Sequence, residues 1–362
     1  MSATTLASTS PARPADPDKL NAFLGRMVGD LGAIATGALV LLGDRLGLFQ
    51  AMRSGEPMSA DVLAERTGTH ERYVREWLAA QAAAGYVDLD DATGLFSLNP
   101  EQAAVFADEG SPTSMAGAFE VLSALWLDEP KVAEAFRHGR GLGWHEHSNC
   151  LFRGTERFFR PGYNANLVSS WLPALDGVVD KLQRGATVAD VGCGHGASTL
   201  VMARAFPQSQ FVGFDYHAPS VERAAQAARD AGLHNVRFEV ASAKNFKGRF
   251  DLVAFFDCLH DMGDPVGAAS HVREALKPDG TWMIVEPNAS DRLRDNLNPV
   301  GRMYYAASTM VCTPCSLAQE VGLALGAQAG EQRLSEVVRA GGFSRFRRAA
   351  ETPFNLVLEA RP

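Results

Sequence analysis

The chain has 362 residues, of which 46% are hydrophobic and 21% charged, a balance typical of a globular protein with room for two domains. Its net charge of −8 argues against a surface dominated by nucleic-acid binding. The longest uninterrupted apolar run, residues 31–43, is too short to span a bilayer, and five scattered cysteines form no disulfide framework. We therefore expect a cytoplasmic protein with no secretion signal and no membrane partner.

The N-terminal part of the chain predicts a winged-helix domain over residues 20–105. Residues 1–19 are rich in Ser, Thr, Ala and Pro and predict a flexible tail. Residues 20–52 carry apolar side chains at three- and four-residue steps, which predicts a helix whose broad apolar face packs on another helix or a second subunit. Two shorter helices, the second capped by Thr69, and a hairpin around the turn 90–94 follow.

A winged helix also fits a cofactor-binding transcriptional regulator, which is the alternative function. On the predicted recognition helix, Arg72 and Arg75 are balanced by two glutamates, and the wing carries three aspartates. Phosphate contacts supply most of the non-specific affinity for DNA, and this surface would repel phosphate. The sequence therefore favours a homodimerisation module over a nucleic-acid partner.

The rest of the chain is organised around one glycine-rich turn. Residues 106–180 predict a mostly helical linker that lines a substrate site, with a break at 139–147. Residues 187–191 then read as a buried strand, three alternate glycines follow, and a helix begins at Ala197. A strand, a glycine-rich turn and a helix form the first unit of a doubly wound α/β domain, so a nucleotide-containing cofactor is expected at this turn.

Two acids distinguish between cofactors that such a turn can bind. Asp190 lies two residues before the first glycine, where a carboxylate would meet an ammonium group but repel the phosphate of a dinucleotide. Asp215 ends the second strand, a position that suits a grip on ribose hydroxyls in S-adenosylmethionine and in NAD alike. Strands at 250–257 and 281–287 and a terminal strand pair, residues 343–349 and 354–360, complete the domain.

With these motifs, residues 181–362 resemble a class I S-adenosylmethionine-dependent methyltransferase. The whole layout resembles bacterial methyltransferases that carry an N-terminal winged-helix domain and form homodimers. The resemblance implies a Rossmann-like α/β fold with a mostly parallel seven-stranded sheet and a C-terminal antiparallel strand. It also implies S-adenosyl-L-methionine as cofactor and a small, apolar or aromatic acceptor, methylated most often at oxygen. An enzyme of this fold with other chemistry stays an alternative, because these motifs report binding more than reaction.

The resemblance also assigns cofactor-binding residues. Ser242 stands where the family often has an aspartate near the adenine, and Phe246 either packs on the adenine or belongs to the core. The implied cofactor-binding residues are Asp190, Gly192, Gly194, Gly196, Asp215, Ser242, Ala243, Phe246 and Asp257.

His260 is the candidate catalytic residue, because it follows the fourth strand and imidazole can remove a hydroxyl proton near neutral pH. A purely structural role for this histidine is the alternative. The pair His145 and His147 lacks an evident third metal ligand, and Cys312 and Cys315 would need two more for zinc, so no metal is predicted. The candidate substrate-lining residues are Trp144, His145, His147, Tyr163, Tyr304 and Tyr305.

Overall fold

A computed structural model describes residues 14–362 of the chain. The predicted flexible tail therefore falls mostly outside the described residues. Its last three residues, 17–19, begin a helix instead, because Asp16 caps that helix by accepting hydrogen bonds from the backbone of Asp18 and Lys19 at 3.0 and 3.3 Å. The chain divides after Ala103 into two compact units.

The first unit contains the predicted helices and hairpin. The second short helix is capped by His70, whose Nδ1 accepts from Arg72 N at 3.2 Å, and not by Thr69 as predicted, because the Thr69 hydroxyl pairs with that of Thr67. The elements are α1 (Pro17–Arg45), α2 (Leu48–Ala51), α3 (Ala60–Thr67), α4 (Glu71–Ala83), β1 (Asp88–Asp90), β2 (Leu95–Ser97) and, across the division, α5 (Pro100–Phe106).

Helix α1 is unusual for its exposed apolar surface. Residues 17–29 are exposed on every side of the helix, and Val28 and Leu31 are 69% and 59% exposed. By length and composition α1 could cross a membrane. The uninterrupted apolar run, residues 31–43, is only part of this helix, which begins at Pro17 and includes Asp30. Core helices of globular proteins satisfy the same two criteria, so these criteria do not by themselves indicate a membrane.

The second unit is a doubly wound α/β domain, as predicted. The strand order is β5-β4-β3-β6-β7-β9-β8, in which β9 is antiparallel to both of its neighbours. Strand β7 begins before the predicted strand 281–287, because Leu276 already pairs with Phe250 of β6. The strands are β3 (Thr187–Val191), β4 (Gln210–Asp215), β5 (Val236–Val240), β6 (Phe250–Phe256), β7 (Leu276–Pro287), β8 (Arg345–Glu351) and β9 (Asn355–Arg361).

Helices cover both faces of this sheet. Along β6, Val253 and Phe255 join one buried cluster while Leu252 and Ala254 join the other, so the strand is apolar on both sides, as parallel strands require. The helices are α6 (Ala116–His138), α7 (Asn149–Asn166), α8 (Val178–Arg184), α9 (Ala197–Ala205), α10 (Ala218–Asp230), α11 (Pro265–Ala275), α12 (Pro299–Ala307), α13 (Thr313–Leu317) and α14 (Gly330–Ala340). Single π-helical turns follow α7 at Leu167–Trp171 and α12 at Ser308–Cys312.

Helices α6 and α7 pack backbone to backbone through two glycines. A Cβ on Gly117 of α6 would lie 2.4 Å from the backbone nitrogen of Phe158, and one on Gly154 of α7 would lie 2.7 Å from that of Val121. Glu120 of α6, buried at 1% exposure, pairs with Arg157 of α7 at 3.2 Å. The close approach leaves no room for a methyl group at either glycine.

We expect Gly154→Ala to destabilise the second unit by about 1–3 kcal/mol, because the added methyl group overpacks a backbone contact. Gly162→Ala on the same helix meets nothing within 4 Å and should stabilise it by up to about 1 kcal/mol through helix propensity. Urea denaturation followed by circular dichroism measures both. Equal shifts for the two variants would contradict the close packing.

Candidate active site

A cavity of about 270 Å³ lies at the carboxyl ends of β3, β4 and β6, within the second unit. This is where ligands bind in open α/β sheets. It is lined by residues of the glycine turn, of the loops after β4, β5 and β6, and of α7. The predicted site residues that line it are Trp144, Tyr163, Gly192, Gly194, Asp215, Ser242, Ala243 and Asp257.

The glycine turn brings the backbone to the cavity wall. Gly192 has a φ of 75°, and a Cβ there would lie 2.8 Å from Cys258 Sγ, so a side chain would be strained and would clash. At Gly194 the backbone N–H donates to Asp215 Oδ2 at 2.9 Å. Gly196, at a φ of 81°, is packed against the ring of Phe238. Turn and acid thus form one hydrogen-bonded unit.

Asp190 is buried at 1% exposure beneath this turn. Its Oδ2 accepts hydrogen bonds from the hydroxyls of Ser198 and Thr199, both at 2.6 Å. Burial raises the pKa of Asp190 to about 6. Its Oδ1 has no hydrogen-bond partner among the described residues, which leaves a buried acceptor without a donor, although Asp190 itself is not among the residues that line the cavity.

Asp215 lines the cavity at the end of β4. Besides the bond from Gly194, its Oδ1 accepts from His217 N at 2.8 Å. Burial raises the pKa of this carboxyl from its ordinary value. Each oxygen keeps a free lone pair, so Asp215 can accept further hydrogen bonds from a ligand.

The loop after β5 contributes Ser242 and Ala243 to the lining, together with Lys244. Phe246, in contrast, is 2% exposed and its ring lies 5.2 Å from that of Phe214 in the core. Of its two predicted roles, the structure shows core packing.

Asp257 follows β6 in an unusual backbone conformation. Its φ is 50°, a left-handed value that residues other than glycine rarely adopt. Asn355 Nδ2 donates to its Oδ1 at 2.9 Å, and the Tyr163 hydroxyl lies 3.4 Å from its Oδ2. Burial and the nearby charge of Glu286 raise the pKa of Asp257 well above its ordinary value. Contacts from β9 and α7 therefore hold the carboxylate of Asp257 in place at the end of β6.

His260 lies between two carboxylates. Its Nδ1 is 2.5 Å from Glu286 Oε2, and its Nε2 is 3.2 Å from Asp261 Oδ1. Burial opposes protonation of the ring, but the charges of Glu286 and Asp261 prevail and raise the pKa of His260 well above its ordinary value. The ring is 4% exposed, and its neighbours Cys258, Asp261 and Met262 line the cavity.

The six candidate substrate-lining residues have different surroundings. Trp144 and Tyr163 line the cavity, whereas His145 is exposed. His147 is buried, and its Nδ1 is 3.0 Å from Asp128 Oδ2. Tyr304 donates its hydroxyl to the backbone oxygen of Phe354 at 2.7 Å, and Tyr305 is half-buried on α12.

Several lining residues were missed in the sequence. His195 lies inside the glycine turn, and burial lowers its pKa to about 4, so the ring is neutral. The position of His195 within the glycine turn could have identified it as a site residue from the sequence. Glu286, which contacts His260 but is not among the lining residues, was missed as well. It was detectable, since it stands near the end of β7 as other acids do on β3 and β4. The aromatic residues Phe152, Phe159 and Phe256 also line the cavity, but nothing in their spacing sets them apart from core residues.

Acidic side chains outnumber basic ones in the lining of the cavity. Lys244 is the single lysine or arginine among the lining residues, and it is paired with Asp264 at 3.0 Å and with Glu320 at 2.8 Å. Six carboxylate side chains line the cavity: Glu156, Asp215, Asp257, Asp261, Asp264 and Glu320. Such a wall favours a cationic ligand.

Comparison with known families and proteins identifies both units. Residues 182–342 match the family described as "Methyltransferase domain", and residues 34–108 match the "Rv2258c-like winged HTH domain". The chain is similar to the mitomycin biosynthesis 6-O-methyltransferase of Streptomyces lavendulae, with 24% identity over 68% of this chain and 72% of that enzyme. A shorter segment, 31% of the chain, is 30% identical to trans-aconitate 2-methyltransferase of Deinococcus radiodurans and covers 42% of it.

Solved structures have the same fold. Mitomycin 7-O-methyltransferase superposes with a TM-score of 0.67 at 20% identity, covering 95% of this chain and all of the other. Human N-acetylserotonin methyltransferase, solved with S-adenosylmethionine, gives 0.67 at 16% identity, covering 98% and 99%. Together with the glycine turn and its two acids, these findings place the chain among the class I S-adenosylmethionine-dependent methyltransferases that carry an N-terminal winged-helix domain.

Proposed function

We propose that this enzyme transfers the methyl group of S-adenosylmethionine to an oxygen atom of a small, largely apolar or aromatic acceptor. The observation that carries the proposal is one cavity in which the glycine turn and Asp215 share the wall with the aromatic side chains of α7. A sulfonium cofactor supplies the electrophilic methyl group, and the protein supplies orientation and proton removal.

The residues around the turn fit this cofactor. Asp190 Oδ1, buried and without a hydrogen-bond partner among the described groups, would accept from the ammonium group of the methionine part. Asp215 would accept from the ribose hydroxyls while it holds the turn through Gly194. The excess of carboxylates in the lining favours the positive charge of the sulfonium.

The acceptor side of the cavity is aromatic. Phe152, Phe159 and Tyr163 line it from α7, and Phe256 lines it from β6. Such side chains suit an apolar or aromatic acceptor that buries its surface on binding. The similarity to enzymes named as O-methyltransferases of mitomycin supports oxygen as the accepting atom.

His260 is the proposed base that removes the proton from the acceptor. Only the neutral ring can do this, and the raised pKa of His260 shifts the neutral form to a pH above the ordinary histidine range, so the proposed step is favoured at alkaline pH. Glu286 accepts from Leu259 N at 2.9 Å through its other oxygen, so this carboxylate fixes both the loop and the ring. A carboxylate on Nδ1 orients an imidazole and stabilises the imidazolium that forms when Nε2 takes a proton. Glu286 is therefore proposed as a positioning residue.

DNA binding is not proposed for the winged helix. On α4, Arg72 pairs with Glu76 at 2.6 Å and Arg75 pairs with Glu71. Both arginines are thus already neutralised by carboxylates that would repel phosphate. The five cysteines are free thiols, which suits a cytoplasmic enzyme.

The proposed partner of the exposed face of α1 is a second copy of this chain. An isolated helix is marginal in water, and residues 17–29 are exposed on every side. A bilayer fits this helix less well, because Arg26 and Asp30 interrupt its apolar surface and charged groups are costly in hydrocarbon. Pairing two copies buries the face formed by Leu20, Phe23, Leu24, Met27, Val28, Leu31 and Ile34.

Asp215→Ala should weaken binding of S-adenosylhomocysteine by about 1–3 kcal/mol, or roughly 5- to 150-fold, because ligand hydroxyls lose their acceptor. Isothermal titration calorimetry measures the affinity. Asp230→Ala, which removes an exposed carboxylate on α10, is the matched control and should bind like wild type. If wild type itself does not bind, the proposed function is wrong.

His260→Gln and Glu286→Gln should each lower kcat for methylation of a phenolic acceptor, by roughly 10²- to 10⁴-fold for the histidine. KM for S-adenosylmethionine should stay near the wild-type value, because neither residue contacts the glycine turn. Steady-state kinetics with a panel of small phenols provides both constants. An unchanged kcat in His260→Gln would remove the base from the mechanism.

Val28→Glu combined with Leu31→Glu should convert a dimer into a monomer, since it places four charges in the proposed interface of two copies. Light scattering after size-exclusion chromatography gives the mass. Leu293→Glu, at a position 65% exposed in the second unit, is the control. A monomeric wild type, or flotation of wild type with lipid vesicles, would contradict the dimer.

A further inference from the structure

Beneath the cavity, three side chains of different chemistry converge at one buried point. One ligand-type atom each from His260, Asp261 and Cys312 lies within 4.8 Å of the other two. His260 and Cys312 are 4% and 6% exposed. Asp261 also lines the cavity, so the cluster is reachable from there.

We propose that His260, Asp261 and Cys312 form a binding site for a thiophilic divalent cation of the zinc class, with a fourth coordination position open toward the cavity. Binding of the ion requires neither the acceptor nor methyl transfer, but the site shares His260 with the proposed base.

The spacing fits such an ion. In a tetrahedral zinc site with bonds of about 2.0 Å to nitrogen and oxygen, two such ligand atoms lie about 3.3 Å apart. His260 Nε2 and Asp261 Oδ1 are 3.2 Å apart. A set of imidazole, carboxylate and thiolate selects zinc-like ions over magnesium or calcium.

Asp261 Oδ1 is the second reason for a cation. This atom is buried and makes no hydrogen bond within the described part of the chain, although His260 Nε2 lies within ion-pair distance of it. A buried carboxylate oxygen without a donor is costly. A cation between Oδ1 and Nε2 would satisfy both atoms at once.

The surroundings also resemble those of a metal centre. Glu286 lies 2.5 Å from Nδ1 of His260, the carboxylate–histidine arrangement that orients an imidazole ligand. Cys312 is the last residue of a π-helical turn, a local distortion that often marks functional sites. Cys315, one helical turn further on, instead contacts His147 Nε2 at 3.6 Å, which leaves three protein ligands and an open position, as in catalytic zinc sites.

Occupancy has a consequence for His260. A bound ion would take the Nε2 that the proposed base needs, so coordination and proton removal exclude each other at this nitrogen. The metal-bound protein would therefore be impaired in methylation that depends on His260.

The test is a titration of purified, chelator-treated full-length protein with Co²⁺, followed by absorption spectroscopy. We expect one equivalent per chain, a thiolate-to-cobalt charge-transfer band in the near ultraviolet, and displacement by Zn²⁺. Cys312→Ser should abolish the band, and Glu286→Gln should weaken binding by about 10- to 100-fold. Cys150→Ser, which alters a cysteine outside the cluster, should retain it.

Binding of S-adenosylhomocysteine by each variant shows that it is folded, and it also separates this test from that of the proposed function. A wild-type protein without the band would overturn the site. So would a band that survives in Cys312→Ser but disappears in Cys315→Ser, because the thiolate ligand would then be the other cysteine.

Discussion

The structure depends on buried carboxylates at the carboxyl edge of the parallel sheet. Asp190 lies near the end of β3, Asp215 ends β4, Asp257 follows β6 and Glu286 lies near the end of β7. Like charges gathered in a low-dielectric site repel each other and lose hydration. The raised pKa values of the three aspartates are the physical consequence.

This edge is maintained by donors supplied from neighbouring elements. Helix α9 provides two hydroxyls for Asp190, the glycine turn provides an N–H for Asp215, and Asn355 of β9 provides an amide for Asp257. Each acid is therefore only partly satisfied by the protein. The remaining acceptor capacity of these carboxylates favours positive charge and hydrogen-bond donors. A sulfonium cofactor with an ammonium group and ribose hydroxyls supplies both.

Much of this could be predicted from the sequence. The strands, the glycine turn and the pair of acids have local signatures, because buried parallel strands are continuously apolar and the turn needs glycine. The cap at His70 and the early start of β7 could not be predicted. Each depends on which of two neighbouring residues makes the hydrogen bond or the strand pairing. Phe246 was ambiguous because an aromatic residue after a strand suits a ligand and a core equally well.

Cys312 shows a different limit. In the sequence, Cys312 lies 52 positions after His260, and nothing indicates that the segment after β7, which contains α12 and the following π-helical turn, packs against the loop after β6. Only the packing of the π-helical turn against that loop brings a thiol to the histidine. Asp261 of the same loop and Glu286 of β7 place a carboxylate beside each nitrogen of the ring, an arrangement that favours a proton or a cation between ring and carboxylate. Under the two proposals, either occupant must leave Nε2 before His260 can accept a proton from an acceptor.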